Sequence, residues 1–150
     1  MKKLFFIFAS IITVICAPAQ QSTEEKAIIK LLEKEAATWR AADAKAHAAC
    51  WLVQPYSRIL VSLADGKMID VPPVAMTDTS VHKMGNGGSA AMSNIKMKIS
   101  GNSAWVNHDE ISTDKDGNQS FSYEIRLLEK INGAWKLTGQ SIHLYHPNNL

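Results

Sequence analysis

The feature that most constrains this chain is a long segment near its C-terminus, Phe121 to Tyr145. Two runs that favour strand, FSYEIRLLEK and AWKLTGQSIHLY, stand on either side of Asn132-Gly133. Asn-Gly is typical of a type I′ hairpin turn, because both central residues of that turn need a positive φ. Each arm has about a dozen residues, which is long for a strand. A ribbon of this length is expected to curl and cover another element, and the helices predicted upstream are available for that.

The length and the charge of the chain limit what it can be. Its 150 residues, 46% hydrophobic and 20% charged, fit one ordinary globular domain. A formal net charge of +2 gives no reason to expect a nucleic acid or an anionic membrane as partner.

The first residues are predicted to be a signal peptide. Lys2 and Lys3 are followed by an apolar run from Leu4 to Ile15, which is too short to span a bilayer. The small-x-small pattern that ends at Ala19 places cleavage after that residue. We therefore divide the chain into a signal peptide, residues 1–19, and a domain, residues 20–150, that is exported to the periplasm or secreted and has no further membrane contact.

Two alternatives to cleavage stay open, a retained anchor and lipidation at Cys16. Ile15 precedes this cysteine where a lipobox has a small residue, which disfavours lipidation. Cleavage after Ala19 leaves Cys50 as the one cysteine of the mature chain, so no internal disulfide is expected. Cys50 is expected to be a small buried hydrophobic residue.

Two helices are predicted at the start of the domain. Ser22 to Glu25 fits a capping box, and apolar residues recur at helical spacing to Trp39, which predicts a helix from about Thr23 to Ala42. Asp43 can cap a second, alanine-rich helix, predicted over residues 44–52. On it, one face carries His47, Cys50 and Trp51. Zinc binding and a packed helix face both fit this spacing, and we expect the packed face because no further ligands lie nearby.

The remainder is predicted to be mostly antiparallel strand. A short hairpin turns at Asp65-Gly66, and a weak helical pattern spans residues 74–84. Long strands are then predicted over residues 90–100 and 103–113, and a polar turn over residues 114–118. The predicted fold class is α+β, with a strongly curved antiparallel sheet wrapped as a cone around the N-terminal helices.

Particular residues accompany this order of elements. They are Trp39, Asp43, the AACW run at 48–51, Pro55-Tyr56, Asp65-Gly66, the GNSAWV run at 101–106 and the LEKINGAWKL run at 128–137. This pattern resembles the nuclear transport factor two-like superfamily, whose fold is cystatin-like, and within it the exported bacterial SnoaL-like proteins of unknown function. The resemblance covers nearly the whole mature chain.

The resemblance implies a cone-shaped pocket between the first helix and the concave face of the sheet, and a homodimer through the outer face. The superfamily includes isomerases, cyclases, dehydratases and many non-catalytic domains, so the fold alone does not define a function. The isomerase arrangement, a Tyr in the first helix and an Asp at the start of the first strand, is not matched. Trp39 and Ala42 stand in this helix, and Arg58-Ile59 stand in the strand.

The inward face of each strand can be predicted from its apolar side. On that basis His108, Glu110, Tyr123, Ile125, Trp135, Ser141 and His143 line the pocket, together with Trp39 of the first helix. His143 or His108 with Glu110 is the candidate acid–base pair, since imidazole titrates near neutral pH and a carboxylate can orient it. The alternative, which we favour from the sequence, is that these side chains are hydrogen-bonded lining of the pocket or solvent-exposed residues at strand ends. The outer face is predicted to carry Arg126, Leu128, Ile142 and Leu144. A shift of one residue in register would reverse each set.

Three functions remain open from the sequence. The first is an exported domain that binds a small hydrophobic molecule. The second is a lyase or isomerase that uses a His–carboxylate pair on such a molecule, and the third is a homodimeric interaction module with a vestigial pocket. The sequence contains no redox, nucleotide or metal signature, and no cofactor is predicted.

Overall fold

The computed structural model describes residues 22–80, 84–85 and 87–147. Two helices come first, and six strands follow with one 3₁₀ turn between the second and third. The elements are α1 (Thr23–Arg40), α2 (Ala44–Ala48), β1 (Ile59–Ser62), β2 (Met68–Val71), the 3₁₀ turn (Pro73–Met76), β3 (Ser89–Ser100), β4 (Ser103–Thr113), β5 (Gln119–Ile131) and β6 (Ala134–Tyr145). The predicted signal peptide lies outside the described residues. Within them, no helix is long and apolar enough to cross a membrane.

The first helix begins where the capping box predicts. The Ser22 hydroxyl accepts from the Glu25 backbone N–H at 3.2 Å, and the Glu25 carboxylate accepts from the Ser22 N–H at 2.6 Å. Because both groups satisfy backbone donors that the helix cannot use, the start of α1 is well defined. The helix ends at Arg40, and Asp43 caps α2 by accepting from the Ala46 N–H at 3.0 Å.

Two predicted helices are shorter in the structure than in the sequence analysis. The second helix ends at Ala48 rather than residue 52, because residues 51 and 52 pair with β6 at Leu137. The weak helical segment at residues 74–84 is one 3₁₀ turn that ends at Met76. Residues 81–83 of that segment lie outside the described part of the chain.

The six strands form one sheet in the order β2-β1-β6-β5-β4-β3. β1 pairs with β6 in parallel, and every other neighbouring pair is antiparallel. Asn132 and Gly133 both have positive φ, at 51° and 79°, as the predicted hairpin turn between β5 and β6 requires. The fold class predicted from the sequence, α+β with N-terminal helices on a curved sheet, is confirmed.

Apolar side chains fill one end of the space between α1 and the sheet. Buried residues of this core are Ile28, Leu32, Cys50, Trp51, Ile59, Met76, Ala104, Val106, Leu128, Trp135 and Leu137. At the same end, Glu24 of α1 accepts from Lys130 Nζ and from Trp135 Nε1, each at 2.6 Å. These bonds join the first turn of α1 to the β5–β6 hairpin.

Strand β6 contains one residue more than its partner. Leu137 pairs with Leu128 and Gly139 pairs with Leu127, so Thr138 has no opposite residue. This is a β-bulge, and it reverses the face to which every later side chain of β6 points.

Candidate functional site

The structure places the inward residues of β4 as predicted. Ala104, Val106, His108 and Glu110 are all buried on the concave face of the sheet. Trp39 of α1 lies in the wall of the cavity described below, also as predicted. Trp135 faces inward but packs in the apolar core, where its indole nitrogen donates to Glu24.

The predicted faces of β5 are wrong. Ser122, Glu124, Arg126 and Leu128 point inward and are buried, whereas Tyr123 lies on the outer face. Ile125, which has the same parity as Tyr123, is also on the outer face. The prediction assumed that the apolar side of the strand is the inner side. That rule failed because the inward charges pair with one another, while apolar residues occupy the outer face.

The predicted convergence of Ser141 and His143 on the cavity is also wrong. The bulge at Thr138 turns both residues to the outer face, where the Ser141 hydroxyl and His143 Nε2 lie 2.8 Å apart. Ile142 and its neighbours of the same parity, Gln140 and Leu144, line the cavity instead. His143 and Glu110 therefore lie on opposite faces of the sheet, and the structure does not bring this predicted acid–base pair together.

An open cavity of about 350 Å³ lies between α1 and the concave face of the sheet. One side of it is apolar and is formed by Ala36, Trp39, Ile59, Val61, Val71, Met76, Ile142 and Leu144. The other side is polar and is formed by Glu35, Arg40, Glu110, Ser112, Ser120, Ser122, Glu124, Arg126 and Gln140. A ligand with an apolar body and a polar end matches this division.

A larger cleft of about 520 Å³ lies against the other side of α1, between Glu33 and the start of β3. It is lined mostly by alanine and glycine, and most of the buried charged side chains of the molecule are absent from its lining. The smaller cavity is the stronger candidate site, because specific recognition needs a few convergent polar groups in an apolar enclosure.

Arg126 is the centre of a buried charge network in the cavity wall. It donates to Glu124 and to Gln140, and its guanidinium lies 3.6 Å from the Glu35 carboxylate. Burial would lower the pKa of Arg126, but the carboxylates of Glu124, Glu35 and Glu110 outweigh it and raise that pKa. Arg126 is therefore a permanent cation inside the domain.

Glu35 joins this network to the second helix. His47 Nε2 lies 3.0 Å from Glu35 Oε1, and His47 is itself enclosed by the rings of Trp39 and Trp51 at centroid distances of 5.3 and 6.2 Å. Burial would raise the pKa of Glu35, but the charge of Arg126 and the hydrogen bond from His47 outweigh it and lower that pKa.

His47 and Cys50 are both packed in the interior, as expected, although α2 ends at Ala48 and Cys50 lies beyond it. His47 Nε2 is engaged by Glu35, and Cys50 is buried with its Sγ 3.4 Å from the Ala46 carbonyl oxygen. Burial raises the pKa of the Cys50 thiol, which keeps it protonated.

Glu110 lines the cavity, whereas His108, two residues earlier on the same face of β4, was predicted to line it but is buried behind the lining residues. Arg40 donates to one oxygen of Glu110 at 2.9 Å and also to the Ser112 hydroxyl. Burial and the charge of Glu124 raise the pKa of Glu110. Burial lowers the pKa of His108 in spite of the nearby Glu124, whose Oε2 is 3.8 Å from His108 Nε2.

The sequence analysis missed Glu35, Arg40, Glu124 and Arg126 as residues of the site. For Glu35 a signal existed, since it follows Ile28 and Leu32 on the apolar stripe of α1. A carboxylate on such a stripe must find a partner inside the fold. For Glu124 and Arg126 the alternation of β5 indicated the wrong face, because Tyr123 and Ile125 make the opposite side of the strand the apolar one.

No known family model matches this sequence, and no curated protein matches it. Solved structures do match. An NTF2-like protein of unknown function from Shewanella baltica OS155 is 21% identical, with 85% of this chain and 99% of that chain covered at a TM-score of 0.58. A protein of unknown function with a cystatin-like fold from Nostoc punctiforme PCC 73102 is 18% identical, with 84% of this chain and 94% of that chain covered at a TM-score of 0.59. The association domain of CaMKII from C. elegans is 17% identical, with 79% of this chain and 94% of that chain covered at a TM-score of 0.59.

Helices on the concave face of a curved sheet define an α+β cone. The similar solved structures identify which α+β fold this is. The chain has the NTF2-like, cystatin-like fold, as its resemblance to the nuclear transport factor two-like superfamily implied. At these identities the likeness concerns the fold alone.

Proposed function

We propose that this domain binds a small organic molecule in the cavity between α1 and the concave face of the sheet. The observation that carries the proposal is the open cavity of about 350 Å³ with one apolar and one charged side. Its volume lies within the range of about 300–1,000 Å³ that is usual for ligand pockets. A pocket that had lost its role would be expected to fill with side chains, since empty apolar volume costs stability.

The charged side of the cavity defines what the polar end of the ligand must offer. Glu110 Oε2 is buried and has no hydrogen-bond partner among the described residues. An unpaired buried acceptor costs free energy, so a ligand that donates to it gains affinity. We therefore expect an apolar molecule with a hydroxyl or amine group at one end.

A thermal-shift screen of such compounds tests the proposal. A ligand that binds only the native state stabilises it by about 2.7 kcal/mol at a concentration of 100 times its Kd. The variant Val61→Phe places a ring in the cavity and should abolish the shift. Leu60→Phe is the matched control, because it adds a ring to the other face of the same strand and should leave the shift intact. Equal shifts in both variants, or no stabilising compound, would contradict the proposal.

A lyase or isomerase is the second candidate function. The observation that favours it is the carboxylate of Glu110, which lines the cavity, has one oxygen without a hydrogen-bond partner among the described residues, and could accept a proton from a bound substrate. Incubation of a bound ligand in D₂O, followed by NMR, should then show deuterium uptake. Uptake that persists in Glu110→Gln would exclude this role for Glu110.

We also propose that residues 1–19 direct export to the periplasm or outside the cell. The support is the sequence pattern of two lysines, an apolar run and a small-x-small end. The intact mass of the protein recovered from cells that express the whole chain should correspond to a start at Gln20. A mass that includes residues 1–19, or a lipid on Cys16, would contradict cleavage after Ala19.

Finally, we propose that the domain forms a homodimer through the outer face of the sheet. This face carries Trp105, Ile111, Tyr123, Leu127 and Ile131, all of them exposed. Exposed apolar side chains that are contiguous on one surface are typical of an interface. One structural neighbour, the CaMKII domain, is by its name an association domain, which agrees with this proposal. The residues of this face differ from the set predicted from the sequence.

A further inference from the structure

Three buried side chains with metal-ligating atoms meet at the inner end of the cavity. They are His108, Glu110 and Glu124, called the triad below. One ligand atom from each lies within 4.8 Å of the other two. His108 and Glu124 are directly opposite one another on β4 and β5, and Glu110 follows two residues after His108 on the same face. The strand pairing therefore holds the triad in place.

The imidazole of His108 presents a lone pair to the other two residues. Its Nδ1 lies 3.4 Å from the Asp109 carbonyl oxygen, which can only accept, so Nδ1 carries the hydrogen. Nε2 then carries the lone pair. This atom is fully buried and has no hydrogen-bond partner in the part of the chain that the structure describes.

The carboxylates of the triad present further lone pairs to the same point. Glu110 Oε2 is buried without a partner among the described residues, and Glu124 Oε2 lies 3.8 Å from His108 Nε2. Glu124 Oε2 also accepts from Arg126, but His108 Nε2 and Glu110 Oε2 have no donor among the described residues, and buried acceptors without a donor or a cation are unfavourable.

We propose that the triad binds a divalent transition-metal ion, with one imidazole and two carboxylates as ligands. Zinc, manganese and ferrous iron accept this combination of ligands. The buried charges around the triad can accommodate a divalent cation. Glu35, Glu110 and Glu124 are opposed by Arg40 and Arg126, which leaves one net negative charge when all three carboxylates are ionised.

The contacts around the triad are those that orient metal ligands. The Asp109 carbonyl accepts from His108, and the Ser122 hydroxyl donates to Glu124 Oε1 at 2.8 Å while Arg126 donates to Oε2. Such second contacts fix the orientation and the tautomer of the ligand side chains. Glu110 and Glu124 also line the open cavity, so an ion could enter from it and keep a free coordination position toward a bound molecule.

Titration of the chelator-treated protein with metal alone tests the proposal. Calorimetry with Zn²⁺ should show saturable binding of one ion per chain at the triad, and Co²⁺ should produce visible absorption bands of a bound ion. His108→Gln should weaken binding by at least about tenfold, since one of three protein ligands is lost. His143→Gln is the matched control, because it removes a histidine from the outer face of the same sheet and should bind as the natural chain does.

Three results would overturn the proposal. They are the absence of saturable binding to the natural chain, equal affinity in His108→Gln, and a loss confined to His143→Gln. If circular dichroism shows that His108→Gln is unfolded, Glu110→Gln takes its place, and unchanged affinity in that folded variant is equally decisive. The titration contains no organic ligand, so its failure leaves the proposed binding of a small molecule to be decided separately by the thermal-shift screen.

Discussion

Arg126 is the residue on which the charged interior most depends. It is fully enclosed and contacts Glu35, Glu124 and Gln140, which come from three different elements. A buried ion pair need not add stability compared with an apolar pair, but the loss of one partner leaves an unpaired charge inside the protein. The Arg126 side chain therefore allows the carboxylates of Glu35 and Glu124 to be buried.

Replacing Arg126 by Met should lower the free energy of unfolding by about 3–5 kcal/mol, because two buried carboxylates lose their cation. Arg58→Met is the control. Arg58 pairs with Asp70 at 3.0 Å, but its side chain is 67% exposed, so this change should cost at most about 1 kcal/mol. Urea unfolding measures both free energies. Similar losses in the two variants would contradict the claim that the buried carboxylates depend on Arg126.

Glu35 should make the stability of the domain depend on pH. Its pKa in the folded protein is below the ordinary value of 4.5, mainly because Arg126 and His47 outweigh the effect of burial. A carboxylate of this kind stabilises the fold above pH 4.5 and loses its contribution as the pH falls through the folded pKa. The difference in unfolding free energy between the natural chain and Glu35→Gln should therefore be largest at neutral pH and should shrink below about pH 4.5.

Urea unfolding at a series of pH values measures this difference. Glu33→Gln is the control, since Glu33 lies two residues away on the exposed side of the same helix. A difference for Glu35→Gln that stays constant or grows toward acid pH would contradict the assignment.

The predictability of the site differs from residue to residue for a physical reason. His108 and Glu110 were placed on the inner face because Ala104 and Val106, on the same side of β4, are small and apolar. By the same rule the side of β5 that carries Arg126 was placed outside, because Tyr123 and Ile125 make the opposite side the apolar one. Glu124 and Arg126 can be buried because they pair with each other and because Arg126 also meets Glu35, almost 90 residues earlier in the chain. A local pattern contains no information about such a partner.

At the scale of elements, the turns and the long strands were predictable, whereas the length of the short helices and the faces of β5 and β6 were not. The capping box at Ser22 and the turn at Asn132-Gly133 are local signals whose chemistry acts within a few residues, and both appear as predicted. The bulge at Thr138 has no such signal. Its extra residue shows only in the pairing of β6 with β5, so uninterrupted alternation put His143 inside and Ile142 outside.

Deletion of Thr138 tests how much the bulge contributes. Removal of the one residue without a partner leaves Leu137 opposite Leu128 and Gly139 opposite Leu127, so the later side chains of β6 keep their faces. Thr138→Ala keeps the bulge and removes only a hydroxyl that donates to the Leu127 carbonyl at 3.3 Å, so it should cost about 1 kcal/mol in unfolding free energy. We expect the deletion to cost about the same in urea unfolding, because it loses the same hydrogen bond. A deletion variant much less stable than Thr138→Ala would mean that the bend of the strand at the bulge itself stabilises the sheet.

At the scale of the whole molecule, the two faces of the sheet differ from the sequence prediction on β5 and on β6 after Thr138. The concave face combines an apolar core with a charged cavity wall, and the outer face is rich in aromatic and aliphatic side chains. Trp105 lies opposite Leu127 on neighbouring strands, and Tyr123 stacks on Tyr145 at a centroid distance of 4.5 Å. The outer face thus carries apolar side chains that adjoin one another on neighbouring strands.

Charges placed on this surface should separate a homodimer. Trp105 is 52% exposed and Leu127 is 48% exposed in the single chain, so the double variant Trp105→Glu, Leu127→Glu does not disturb the core and brings four like charges together across a twofold interface. Light scattering after size-exclusion chromatography should give the mass of a dimer for the natural chain and of a monomer for the variant. Val74→Glu is the control, because Val74 is 61% exposed but lies in the 3₁₀ turn, and it should leave the dimer intact.

A natural chain that is monomeric at high concentration, or a dimer that survives both charges, would show that the outer face has another partner or none. In the second case the dimer would have to form elsewhere on the molecule.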